Sequence, residues 1–102
     1  MSEINRRAAS LLSICQKAGK LVSGEVACEK MLQAGKAKLV IICNDASERT
    51  KNKFINKAFY YKVACRVCFE KEELSRCIGK NNRAIIAITD DGFAKALFGS
   101  ND

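Results

Sequence analysis

Lys38-Leu39-Val40-Ile41-Ile42-Cys43 is the stretch on which the fold turns. A continuous apolar run rich in β-branched residues reads as a central strand covered on both faces. A second run of the same kind, Arg83-Ala84-Ile85-Ile86-Ala87-Ile88, follows some forty residues later. Working outward from the first run, residues about 4–18 place Ile4, Ala8, Leu11, Leu12, Cys15 and Ala18 at helical spacing, and Gly19 fits the stop. Lys20-Leu21-Val22 is a short extended piece leading to Ser23, a good N-cap. The helix it opens runs to about Ala34, with Val26, Ala27, Met31 and Leu32 on its apolar side and Gly35 beyond.

Downstream, Asp45 and Glu48 have capping-box spacing, with Asp45 in the cap role. They precede a helix over about 47–60 whose apolar positions are Phe54, Ile55, Ala58 and Phe59. Val63 to Phe69 alternates as a strand, about 70–78 is a short helix stopped by Gly79, and Asp90 caps a last helix carrying Phe93, Leu97 and Phe98. With no proline, few glycines and no repeat, nothing divides the 102 residues, so one domain over 1–102 is expected. Helices alternating with strands predict a three-layer α-β-α sandwich around a small mixed sheet of about four strands.

Charge points to the class of partner. Eighteen Lys and Arg against eleven Asp and Glu give +7, a balance suited to a polyanion, because neutralised phosphates release their counterions. No window approaches the roughly 20 apolar residues of a membrane span. Met1-Ser2-Glu3-Ile4-Asn5-Arg6-Arg7 has no apolar signal core, so a cytoplasmic protein without membrane contact is expected. Six cysteines, Cys15, Cys28, Cys43, Cys65, Cys68 and Cys77, sit mostly among apolar neighbours and read as reduced core residues. Cys65-Arg66-Val67-Cys68 has the spacing of a zinc or redox pair. Positions three apart on a strand point to opposite faces, however, and Cys77 is the only plausible further ligand. The absence of His removes Cys/His metal sites and imidazole-based catalysis. No Gly-rich phosphate loop is present and no paired carboxylates sit in an apolar context, Asp90-Asp91 reading as a helix cap, so the expectation is binding without turnover, with no cofactor and no metal.

Three segments are candidate contact sites. At Ser23-Gly24 a strand enters a helix, leaving first-turn N–H groups and the positive end of the helix dipole for an anion. Gly24 lets a backbone or base edge approach, and Lys30 lies one to two turns along; a routine cap beside a solvated lysine is the plainer reading. Ile78-Gly79-Lys80-Asn81-Asn82-Arg83-Ala84 forms a loop before a buried strand. Asp45 to Lys53 brings Arg49 and Lys51 to a helix start near a strand end, where α/β sheets tend to bind.

Val22-Ser23-Gly24-Glu25 and Ala37-Lys38-Leu39-Val40, with Asp45-Ala46-Ser47, Tyr60-Tyr61-Lys62-Val63, Ile78-Gly79-Lys80 and Thr89-Asp90-x-Gly92-Phe93-Ala94, resemble the ribosomal proteins that bind RNA kink-turns, most closely their small bacterial YlxQ-like relatives. The resemblance covers about residues 5–98. It implies RNA binding by a monomer, in ribosomal or other structured RNA, through Gly24, Glu25, Val26 and Lys30 at the helix start. It further implies apolar contact by Ile78 and Ala84 with a flipped-out nucleotide, and phosphate contact by Lys80 and Arg83, with Arg49 and Lys51 adding backbone contacts. The family pattern Gly-x-Asn-Glu-x-x-Lys keeps Gly24 and Lys30, but Val26 stands at the Asn position and Ala27 at the Glu position. Glu25 is the one residue there that could replace part of the missing acceptor. Losing a good bidentate base contact costs about 1–3 kcal/mol of discrimination, so weaker kink-turn selectivity is expected. The alternative is a protein-interaction module of the translation machinery with only generic RNA contact.

Overall fold

The computed structural model describes residues 5–98; Ile4 and the outermost parts of the expected 1–102 domain lie outside them. The elements in order are α1 (Arg6–Lys17), β1 (Leu21–Ser23), α2 (Glu25–Gln33), β2 (Leu39–Ile42), α3 (Glu48–Tyr60), β3 (Ala64–Val67), α4 (Lys71–Cys77), β4 (Ile85–Ile88) and α5 (Asp91–Phe98). The four strands form one mixed sheet in the order β1-β4-β2-β3. β4 is antiparallel to both its neighbours, pairing Val22 with Ala87 and Val40 with Ala87, while β2 and β3 are parallel, Val40 opposite Cys65.

Both apolar runs are the central strands the sequence predicts, and all four residues of each are buried. Burial on both faces demands cover on both faces. One face packs Ile41, Ile86 and Ile88 with Leu12 and Cys15 of α1, Leu74 of α4 and the apolar side of α5. The other packs Val40, Ile42, Ile85 and Ala87 with Cys28 and Leu32 of α2 and Phe54 of α3. The three-layer sandwich and mixed sheet therefore stand as expected.

Several local expectations are corrected. Ser23 does not cap α2. It continues the β1 ladder opposite Ile86, and Gly24 takes the cap position. Asp45 does not cap α3. Ser47 does, its Oγ accepting from Thr50 N at 3.1 Å, because Ala46 is drawn into the core and the helix starts two residues later. Asp45 instead accepts from Lys71 N at 2.9 Å, supplying an acceptor to the first turn of α4, which has no side-chain cap of its own. Asp90 caps α5 as expected, accepting from Phe93 N at 3.0 Å.

The buried faces of two helices are also rotated from those read off the sequence. In α2, Cys28 and Leu32 are buried and Val26 is 70% exposed. In α3, Thr50, Phe54 and Ala58 face the sheet, while Ile55 is partly exposed and Phe59 is 87% exposed. A stripe at i, i+4, i+8 beginning on Thr50 hides its first member from a search for apolar residues. Cys65 packs in the core beneath α2 and α3, whereas Cys68 and Cys77 pack under α1, α4 and α5, so the CxxC pair is split between the two faces.

Burial pushes the Cys28 thiol up to about 12, with the charge of Glu25 adding to the shift. A thiol protonated in the fold but free to ionise near its ordinary value of 9.0 once unfolded favours folding less as pH rises from 9 toward 12. Unfolding free energy should therefore fall over that range by up to about 1.4 kcal/mol per pH unit from this group alone. Urea titrations at pH 7 and 10 should give a smaller fall for Cys28→Ala than for the parent. The rotated α3 face gives a sharper contrast: Phe54→Ala should cost about 3–5 kcal/mol, and Phe59→Ala should stay within about 0.5 kcal/mol of the parent.

Candidate functional site

Strand direction gathers the site. β1, β2 and β3 run one way and β4 the other, so Ser23, Ile42, Val67 and the start of β4 line one edge of the sheet. Each of those three strands hands directly to a helix, which brings the N-termini of α2, α3 and α4 to the same carboxyl edge. Open α/β sheets characteristically bind there.

The β1–α2 corner is set by Gly24, whose φ of +93° and ψ of 158° suit glycine alone. A Cβ at this position would meet no atom within 4 Å, so the surface over it is open. Gly24 N donates to Ile85 O at 3.0 Å, which ties the corner to β4, and no side chain caps the first turn of α2.

Glu25 turns away from that opening. Its Oε2 accepts from Thr50 Oγ1 at 3.0 Å, and Oε1 lies 3.6 Å from Lys53 Nζ. Glu29 sits 3.5 Å from Lys53 and 3.1 Å from Lys57, and donation from Lys57 and the nearby charge of Lys53 hold its carboxyl below the usual carboxylate range. The carboxylates of α2 thus fasten it to α3, and Glu25, considered above as a substitute acceptor, is already engaged. Val26 is exposed on the first turn, Ala27 is half-buried, and Lys30 is exposed with no ion pair among the described residues.

The loop before β4 is fastened to the same corner. Arg83 Nε donates to Ser23 Oγ at 3.1 Å, across sixty residues of sequence. Arg83 N donates to Ser75 Oγ at 2.8 Å, and that hydroxyl and the Cys43 thiol both donate to Arg83 O, at 3.4 and 3.7 Å. Ala84 O accepts from Cys43 N at 2.8 Å. Lys80, Asn81 and Asn82 stay exposed on the loop between these anchors. Ile78, expected to offer an apolar contact, is only 4% exposed. It closes the C-terminus of α4 into the core, because Gly79 at φ +69° reverses the chain only after it. Ala84 is half-buried against the other core.

Arg49 is exposed on the first turn of α3, and Lys51 pairs with Glu48 at 3.6 Å. Gly24, Arg49 and Arg83 stand at helix starts and the loop end of this edge, Lys80 lies on the loop before β4, Lys30 lies in the last turn of α2, and Ile78 is withheld in the core. Ser75, which is buried and holds both backbone groups of Arg83, was not among the residues picked out from sequence. A serine within a short helix carries no sign that its partner is a loop eight residues on.

The model of the ribosomal protein L7Ae/L30e/S12e/Gadd45 family matches residues 6–98. The chain is 43% identical over 96 residues to a protein of Enterococcus faecium named RNA-binding protein YlxQ, covering 93% of this chain and 92% of that one. It is 41% identical over 87 residues to the protein of the same name in Bacillus subtilis (strain 168), covering 85% and 87%. The solved structure of a Giardia lamblia 15.5 kD RNA binding protein superposes with a TM-score of 0.75 at 18% identity, over 95% of this chain and 87% of that one, and it shares the fold.

Proposed function

The chain belongs to the ribosomal protein L7Ae/L30e/S12e/Gadd45 family, and from that premise we propose that it binds structured RNA through the carboxyl edge of its sheet. The observation that carries the reading is the Arg83–Ser23 hydrogen bond. It joins the loop before β4 to the uncapped start of α2, making one continuous surface of two separate candidate segments. The names borne by the Enterococcus and Bacillus relatives support the same partner.

On this surface Gly24 admits the RNA closely, and the first-turn N–H groups of α2 donate to phosphate or a base edge. Lys30, Lys80 and Arg83 meet phosphates, while Arg49 and Lys51 add contacts that fix register without reading sequence. Ala84 offers the apolar contact to a flipped-out nucleotide. The RNA proposed is a kink-turn, in ribosomal or other structured RNA, bound by a monomer. Contact with the bent form alone shifts the bend equilibrium, so no chemical step is needed and the chain acts as a binder, not an enzyme. Val26, exposed where the family carries Asn, weakens base readout. The same exposed valine is the observation that favours the rival reading, a protein-docking module.

A kink-turn RNA with tandem G·A pairs should bind more tightly than a straight duplex of equal length at physiological salt. Lys30→Ala and Lys80→Ala should each weaken binding and lower the steepness of its salt dependence by about one ion. Equal binding to both RNAs would defeat the kink-turn reading, and charge reversal at Lys30 and Lys80 without effect on a captured complex would favour the docking module. Val26→Asn, made on an exposed position, should raise preference for the kink-turn roughly tenfold, as read by competition binding.

A further inference from the structure

The opposite, amino end of the sheet also gathers exposed lysines, and the proposed contact at the carboxyl edge does not use them. Two adjoining clefts open there. One, of about 430 Å³, is lined by Lys20, Lys36, Lys38 and Thr89 beside Gly19 and Gly35. The other, of about 350 Å³, shares Gly35 and Lys38 with the first and is completed by Tyr61, Lys62 and Asp91, among others. Because the clefts share residues, Lys20, Lys36, Lys38 and Lys62 form one surface. All four are exposed, and none makes an ion pair among the described residues. Asp91 is the one carboxylate in either lining.

The end of α3 adds aromatic rings to this charge. Phe59 is 87% and Tyr60 76% exposed. Tyr60 stands edge-on to Tyr61 with ring centroids 4.9 Å apart, and Tyr61 itself lines the second cleft. Large aromatic side chains left in water beside unpaired lysines match the needs of single-stranded nucleic acid. Its bases stack on rings without sequence preference, and its phosphates follow a cationic groove. Both linings mix lysine and glycine with apolar residues such as Met31 and Val63, and the four exposed lysines around them favour a polyanion over a protein partner.

We propose that this amino-end surface is a second RNA contact, in which an unpaired strand stacks on Phe59 and Tyr60 and lays its phosphates along Lys62, Lys38, Lys36 and Lys20. α3 runs from the carboxyl edge to this surface, about 20 Å at 1.5 Å per residue. At about 3.4 Å per stacked nucleotide, a single-stranded tail of about six nucleotides leaving the first contact reaches the second. The protein then selects a folded RNA element together with the unpaired strand beside it.

The chain contains no tryptophan, and its two tyrosines are Tyr60 and Tyr61, so intrinsic tyrosine emission reports this surface alone. Titrating the full chain with a ten-nucleotide single-stranded RNA should quench that emission. Phe59→Ala should weaken the binding roughly tenfold, with Phe59→Tyr restoring it. Lys36→Glu combined with Lys38→Glu should weaken it and flatten its salt dependence. Lys80→Ala and Arg49→Ala at the other edge should leave it unchanged, and the amino-end variants should leave binding of a tailless kink-turn RNA unchanged. Thermal unfolding of each variant checks that the fold is retained. The proposal is overturned if the oligonucleotide binds folded amino-end variants as it binds the parent, or if the carboxyl-edge variants abolish its binding. A kink-turn that fails to bind while the oligonucleotide still binds through Phe59 and the lysines would instead defeat the first reading and leave this one standing.

Discussion

β2 and β4 lie side by side in the middle of the sheet with no side chain left for water, and the other features of the molecule follow from that. Two strands buried on both faces require a helical layer above and below. The chain meets the requirement with α1, α4 and α5 on one side and α2 and α3 on the other. The antiparallel setting of β4 between β1 and β2 then leaves β1, β2 and β3 pointing one way. Three helix starts and the loop before β4 fall along one edge as a consequence.

That edge is held by polar contacts that bridge separate parts of the chain. Ser23 receives Arg83, Ser75 holds both backbone groups of Arg83, Asp45 serves the first turn of α4, and Glu25 and Glu29 are spent on α3. The acidic side chains of α2 thus serve packing between helices, and the positive end of the helix is left open at Gly24. Lys30, Lys80 and Arg49 remain exposed to solvent, and exposed cations are what a phosphate-rich partner requires. At the other end of α3, Phe59 and Tyr60 are left in water by the same rotation that buries Phe54 and Ala58.

The sequence by itself determined the number and order of elements, because two apolar runs, glycine stops and helical spacing are local signals that each element carries within itself. It also offered Gly24, Lys30 and the 78–84 loop as candidates for contact, through glycine position and ordered blocks of family resemblance. The tertiary structure alone decided which residue capped which helix, which stripe of α2 and α3 was buried, and whether Ile78 lay inside or outside. Asp45 and Ser47 are both good caps by composition, and only the burial of Ala46 between them assigns one to α3 and the other to α4. The joining of Arg83 to Ser23 was equally invisible, since it depends on β4 entering the sheet beside β1, a pairing between residues sixty apart that no local pattern encodes.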